Sequence, residues 1–88
     1  MHNPKLAVFS TKYVIKDDKA IVHVVHDSID EWQFLSSDNI TVEDLMIVAL
    51  GSLLEKDHTL NEVIEIKPGH EATRDKVGAT WQVVETKE

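Results

Sequence analysis

The chain has 88 residues, 42% of them hydrophobic, and sets nine basic side chains against sixteen acidic ones for a formal charge of −7. That length holds one hydrophobic core, which excludes a second domain within these residues, and the clustering of apolar residues into blocks argues against intrinsic disorder. The absence of cysteine removes disulfides, thiolate metal sites and a cysteine nucleophile together.

The opening Met1-His2-Asn3-Pro4-Lys5-Leu6 lacks the basic and apolar regions of a secretory leader. No apolar run approaches the ~18 residues of a membrane span, so a cytoplasmic protein is expected. Leu6 to Ile15 is rich in β-branched and aromatic side chains and predicts a strand, bent near Ser10. After the polar turn Lys16 to Lys19, Ala20 to His26 reads as a central strand apolar on both sides. Ile21, His23 and Val25 point one way, and Val22, Val24 and His26 the other. Asp27 to Asp30 turn the chain into Trp32-Gln33-Phe34, where alternation puts both rings on one face. Consecutive strands joined by short turns predict an antiparallel meander.

Thr41-Val42-Glu43-Asp44 has the spacing of a helix N-cap followed by acids that suit the positive end of a helix dipole. A helix is predicted from Val42 to Glu55 or Lys56, with Val42, Leu45, Met46, Ala49, Leu50 and Leu53 on its inner stripe. Ile47, Val48 and Leu54 widen that stripe, so the helix is expected to be buried on more than one side or to meet a second copy in a homodimer. Gly51 within it costs about 1 kcal/mol relative to alanine, which points to a close backbone contact. Thr59 is placed to cap one further turn, Leu60 to Ile64, before the turn Lys67-Pro68-Gly69. A last hairpin is predicted with strands near His70 to Arg74 and Thr80 to Val84, then a tail from Glu85 to Glu88. The expected architecture is a single α+β domain over residues 1–88, with its core from about 6 to 84. It has a mostly antiparallel sheet of about five strands with one main helix on one face.

Charge is distributed unevenly. Between Lys19 and Lys56 there is no Lys or Arg, while Asp27, Asp30, Glu31, Asp38, Glu43, Asp44 and Glu55 all fall there. Such a stretch repels phosphate backbones and anionic membranes, which disfavours nucleic acid and lipid as partners. A protein with a basic surface suits it, and the expected contact set is Asp27, Asp30, Glu31, Trp32, Asp38, Glu43 and Asp44.

Five histidines raise metal or acid–base chemistry. His23 and His26 lie three apart on a predicted strand, face opposite sides and cannot share an ion. His26 with Asp27, joined by His70 and Glu71, forms the alternative ligand, metal or catalytic cluster, provided the fold brings them into one pocket. The serines sit in no elbow or glycine-rich context, so no catalytic set is assigned and no metal or cofactor is implied. Arg74, the lone arginine, is expected to ion-pair with an acid in the last hairpin.

The segments Val8-Phe9-Ser10-Thr11-Lys12; Val25-His26-Asp27; Trp32-Gln33-Phe34 with the Ser36-Ser37-Asp38 loop; Leu53-Leu54-Glu55-Lys56-Asp57; Leu60-Asn61-Glu62-Val63-Ile64; Pro68-Gly69-His70-Glu71-Ala72-Thr73-Arg74; and Trp81 follow one another along nearly the whole chain. In this string of features the chain resembles the immunity-protein-33-like family of small bacterial domains of unknown function. The resemblance implies a non-enzymatic cytoplasmic binder, in the immunity-type case an inhibitor of a toxin. Beside it stand the small enzyme or ligand-binding domain built on the histidine cluster, and a self-associating accessory domain.

Overall fold

The computed structural model describes residues 3–86. Its elements run β1 (Ala7–Thr11), α1 (Lys12–Ile15), β2 (His23–His26), β3 (Trp32–Leu35), a 3-10 turn (Val42–Asp44), β4 (Leu45–Ala49), α2 (Leu50–Lys56), a second 3-10 turn (His58–Glu62), β5 (His70–Thr73) and β6 (Gln82–Glu85). The strands form one six-stranded sheet in the order β4-β1-β3-β2-β5-β6. The α+β class is as expected, but the sheet is mixed, because β1 runs parallel to β3 through the register pair Phe9 and Gln33.

That parallel pair replaces the predicted meander. The first segment is a strand only as far as Thr11, whose hydroxyl accepts from the Val14 N–H and starts the single turn α1. With α1 and residues 16–22 as a crossover, β2 lies beyond β3 instead of beside β1. β2 and β3 remain the antiparallel hairpin that the alternation predicts, pairing His23 with Leu35 through His26 with Trp32.

The predicted helix from Val42 to Lys56 divides into three pieces. Asp44 accepts from the Thr41 N–H at 2.9 Å, the reach-back of a helix start, but the helix stops after one 3-10 turn. Leu45–Ala49 then pairs antiparallel with all five residues of β1. Every residue from Leu45 to Leu50 is apolar, so the helical stripe was one of several patterns that the run could satisfy. The β-branched pair Ile47-Val48 and the open edge of β1 favour the strand. Only Leu50–Lys56 is helical. Gly51 at its start has the expected close contact: its N–H donates to the Pro4 carbonyl at 2.8 Å, and a Cβ there would sit 2.9 Å from the Pro4 Cβ. The next turn is capped by Asp57, which accepts from the Thr59 N–H, and not by Thr59 itself.

All of the core lies on one face of the sheet. Val8, Val24, Phe34 and Ala72 point toward Val14, Ile21, Leu50, Leu53, Leu60, Val63 and Ile64 from the helical and loop layer. Phe34 and Leu53 are fully buried, and burying such a side chain contributes about 1.5–3 kcal/mol. The alternate residues Phe9, Leu35, Val25, Ile47 and Val84 face the other way and supply no member of that core. The last hairpin forms, but its second strand is Gln82–Glu85 instead of Thr80 to Val84: Glu85, expected in the tail, pairs with His70, and the Thr86 N–H donates to the Gly69 carbonyl. The rest of the predicted tail, 87–88, lies outside the described residues, as do Met1 and His2.

Candidate functional site

The turn that joins β2 to β3 gathers most of the predicted contact residues. Asp27 accepts from the N–H groups of Ile29 and Glu31, each at 3.0 Å, which folds the turn, and Asp30 completes it in the left-handed region at φ 67°. Asp and Asn tolerate that conformation better than other non-glycine residues. The geometry turns Asp30 back over the end of β2, so that its carboxylate meets His26 Nε2 at 2.5 Å.

His26 is almost wholly buried and uses its whole ring. Nδ1 lies 2.7 Å from the Ile66 carbonyl, and the ring stacks on Trp32 with centroids 3.9 Å apart. Trp32 stacks in turn on Phe34 at 5.9 Å. A carbonyl only accepts, so Nδ1 is the donor there, and Nε2 can bond a carboxylate only if one of the two carries the second proton. Neither ring nitrogen is left to serve a substrate or a metal, so the geometry suits a structural clamp between hairpin, Ile66 loop and core.

Beside this clamp the sheet has a hollow of about 230 Å³, lined by Leu6, Ala7, Val8, Phe9, Trp32 and Ile47 with Asp30 and Glu31 at its rim. The turn holds Glu31 by its backbone alone, through the Asp27 carboxylate and the Asp27 N–H. Among the described residues the Glu31 carboxylate has neither hydrogen bond nor ion pair. An anionic group thus stands next to a small apolar surface formed by Phe9 and Ile47.

The remaining acids of the predicted set lie elsewhere. Because β3 runs parallel to β1 and β4 antiparallel to it, Asp27, Asp30, Glu31 and Trp32 sit at one end of the sheet and Asp38, Glu43 and Asp44 at the other. Asp38 is bonded to Ser36 at 2.7 Å. Asp44 is buried and pairs with Lys12 at 3.3 Å. The Thr41 N–H, helped by that ammonium, holds the Asp44 carboxyl below the ordinary range against the opposing effect of burial, and Asp44 raises the Lys12 ammonium above its usual value. Only Glu43 is exposed at that end, so the base-free segment does not form one continuous acidic face.

The histidine cluster is brought together in part. His26 and His70 are register partners across β2 and β5, on the same face of the sheet. Glu71, one residue on, points to the opposite face and bonds His23 at 2.9 Å, and Asp27 is committed to its own turn. Among the described residues no group of three or more His, Asp or Glu is placed to hold a metal ion.

Sequence reasoning missed a buried network around Arg74. Its guanidinium donates to the Ile21 carbonyl at 2.9 Å, the Thr59 hydroxyl at 2.6 Å and the Asp57 carboxylate at 2.6 Å. It also lies 4.1 Å from the Trp81 ring. The partner acid is therefore in the turn after α2, not in the last hairpin. Burial pushes the Asp57 carboxyl up, but the Thr59 hydroxyl, Arg74 and the Thr59 N–H outweigh it and hold the group below the usual carboxylate range. The readable signal was Asp57-His58-Thr59, a capping pair, together with an arginine that has no equal elsewhere in the chain.

No helix among the described residues is long and apolar enough to cross a membrane. Comparison with family models, curated proteins and solved structures found no match.

Proposed function

We propose that this chain is a non-catalytic protein-binding module that takes a basic side chain of its partner at the rim of the Phe9 and Ile47 hollow. The observation behind the reading is Glu31, an unpaired carboxylate held by a rigid turn beside apolar surface. A lysine or arginine fits such a place chemically, with its methylene stem on Phe9 and Ile47 and its charged head against Glu31 and Asp30. The lack of Lys and Arg between positions 19 and 56 adds a negative field that speeds encounter with a basic surface and rejects acidic ones. In the immunity-type form of this reading, suggested by the family resemblance, the partner is a basic toxin.

Titration with a lysine-rich peptide, followed by NMR, tests it. Shifts are expected at Leu6 to Phe9, Glu31 and Ile47, lost in Glu31→Lys and retained in Glu43→Lys at the far end of the sheet. Equal binding by the two variants would remove the rim from the reading.

A further inference from the structure

We propose that β4 is a self-pairing edge: two copies of the chain join antiparallel through Leu45–Ala49, centred on Ile47, and so extend their sheets into one. The strand ends the sheet order, and β1 is its sole partner among the described residues. An open strand edge offers unpaired N–H and C=O groups, and sheet proteins commonly protect such edges with charge, proline or a bulge. β6, at the other edge, carries Glu85, whereas Leu-Met-Ile-Val-Ala carries none of these.

The ladder fixes which groups are open. The Leu50 N–H donates to the Leu6 carbonyl at 2.9 Å, so by the alternation of an antiparallel pair Val48 and Met46 also turn their backbone groups toward β1. Leu45, Ile47 and Ala49 then turn theirs outward. A second β4 placed with Ile47 opposite Ile47 sets Leu45 against Ala49 on both sides of the axis, an isologous contact in which every open group finds its counterpart. Ile47, 69% exposed in the single chain, is covered in the pair.

Charge selects a second copy as the occupant. A chain of charge −7 meets its own kind most readily along an edge without charged side chains, and β4 is such an edge, with Glu31 two strands away beyond β1. In the register centred on Ile47, Glu43 and Asp44 lie opposite Gly51 and Leu50 of the other copy, so no acid faces an acid. A five-residue edge buries less than the roughly 1,000 Å² that a stable interface needs, which makes the dimer weak and concentration-dependent. The overall repulsion is screened over a Debye length of about 8 Å at physiological ionic strength and about 3 Å at 1 M, so added salt strengthens the pairing. Salt weakens the binding of a basic partner at Glu31, so the two inferences respond to salt in opposite directions and fail separately.

The test is the mass of the full chain alone, by light scattering over a concentration series at low and high salt, with amide hydrogen exchange read at each concentration. The expected result is a rise toward twice the monomer mass, favoured by salt, with protection growing at Leu45, Ile47 and Ala49. It is lost in Ile47→Lys and kept in Val84→Lys on the opposite edge, both variants retaining the native circular dichroism. A monomer at millimolar concentration in high salt would overturn it, as would a dimer that survives Ile47→Lys or is broken by Val84→Lys. Protection of the β4 amides by an added extended peptide, with no rise in mass of the chain alone, would assign the edge to a different occupant and overturn it too.

Discussion

The Arg74 guanidinium meets the Asp57 carboxylate at 2.6 Å with none of the Arg74 side chain exposed. The contact ties the strand end after β5 to the turn after α2, and the second guanidinium edge reaches Ile21 ahead of β2. Three segments distant in sequence are thus fastened by one side chain.

Arg74→Ala leaves the Asp57 carboxylate with its Thr59 donors but without its counter-charge, and the Ile21 carbonyl without the donors it has from the guanidinium, beneath Trp81. Breaking a buried pair by removing one member costs about 3–5 kcal/mol. A core of this size has roughly 3–5 kcal/mol of net stability. The expected outcome is a chain largely unfolded at room temperature, visible as loss of cooperative urea unfolding. Arg74→Lys keeps the charge but not the fork that serves Ile21, Thr59 and Asp57 together, and is expected to fall between the two.

Acidification acts through Asp57 and Asp44. Both carboxyls lie below their ordinary value of 3.8 in the folded chain, so their contribution is complete above that value and is lost as pH falls through the folded-state values. Lys12 is raised above 10.5, so its part is complete below that value and fades as pH climbs through the folded-state one. Urea midpoints measured from neutrality down to pH ~3 should therefore fall for the native chain. The Asp57→Asn variant starts lower and changes less, so the gap between the curves closes in acid. A gap that stays constant below the ordinary carboxylate value would contradict the assignment.

Gly51→Ala sets two known quantities against each other. Alanine is worth about 1 kcal/mol more than glycine within a helix. Against that gain, the new methyl would stand 2.9 Å from the Pro4 Cβ and 3.0 Å from the Pro4 carbonyl oxygen, neither of them the free end of a flexible side chain. Overpacking costs about 1–3 kcal/mol, so a net loss of about 1 kcal/mol is expected, read as a lower thermal midpoint. Removing residues 1–5 along with the substitution should turn the loss into a gain.

How much of this was readable follows from how many patterns each segment could satisfy. Trp32-Gln33-Phe34 alternates, and only a strand puts both rings inward, where Trp32 indeed stacks on Phe34. Leu45 to Leu50 fits a helix or a strand equally, and the choice was made by β1, whose free edge lies far away in sequence. The neighbours of β1 were illegible for the same reason, since Thr11 ends the strand with a local hydrogen bond that composition does not announce. In the candidate site, His26 was legible and its partner was not. Asp27 adjoins it in the chain, yet the left-handed turn at Asp30 brings the later carboxylate back instead.

That turn gives the last prediction. Asp30→Asn keeps the length of the side chain and the tolerance for φ 67°, and removes only the charge facing His26 Nε2. The Asp30 side chain is 77% exposed, so solvent screens the pair, and exposed pairs contribute about 0–1 kcal/mol. A small loss of stability is expected from Asn, with the stack of His26 on Trp32 intact and Trp fluorescence unchanged. Asp30→Ala additionally places a residue without a side-chain oxygen at a left-handed position, which costs a further ~1 kcal/mol or so. If Asn proves as costly as Ala, the charge and not the turn conformation fastens the hairpin. If Asn behaves like the native residue and Ala does not, the backbone at residue 30 sets the position of Glu31, and peptide binding at the rim should follow the same order across the variants.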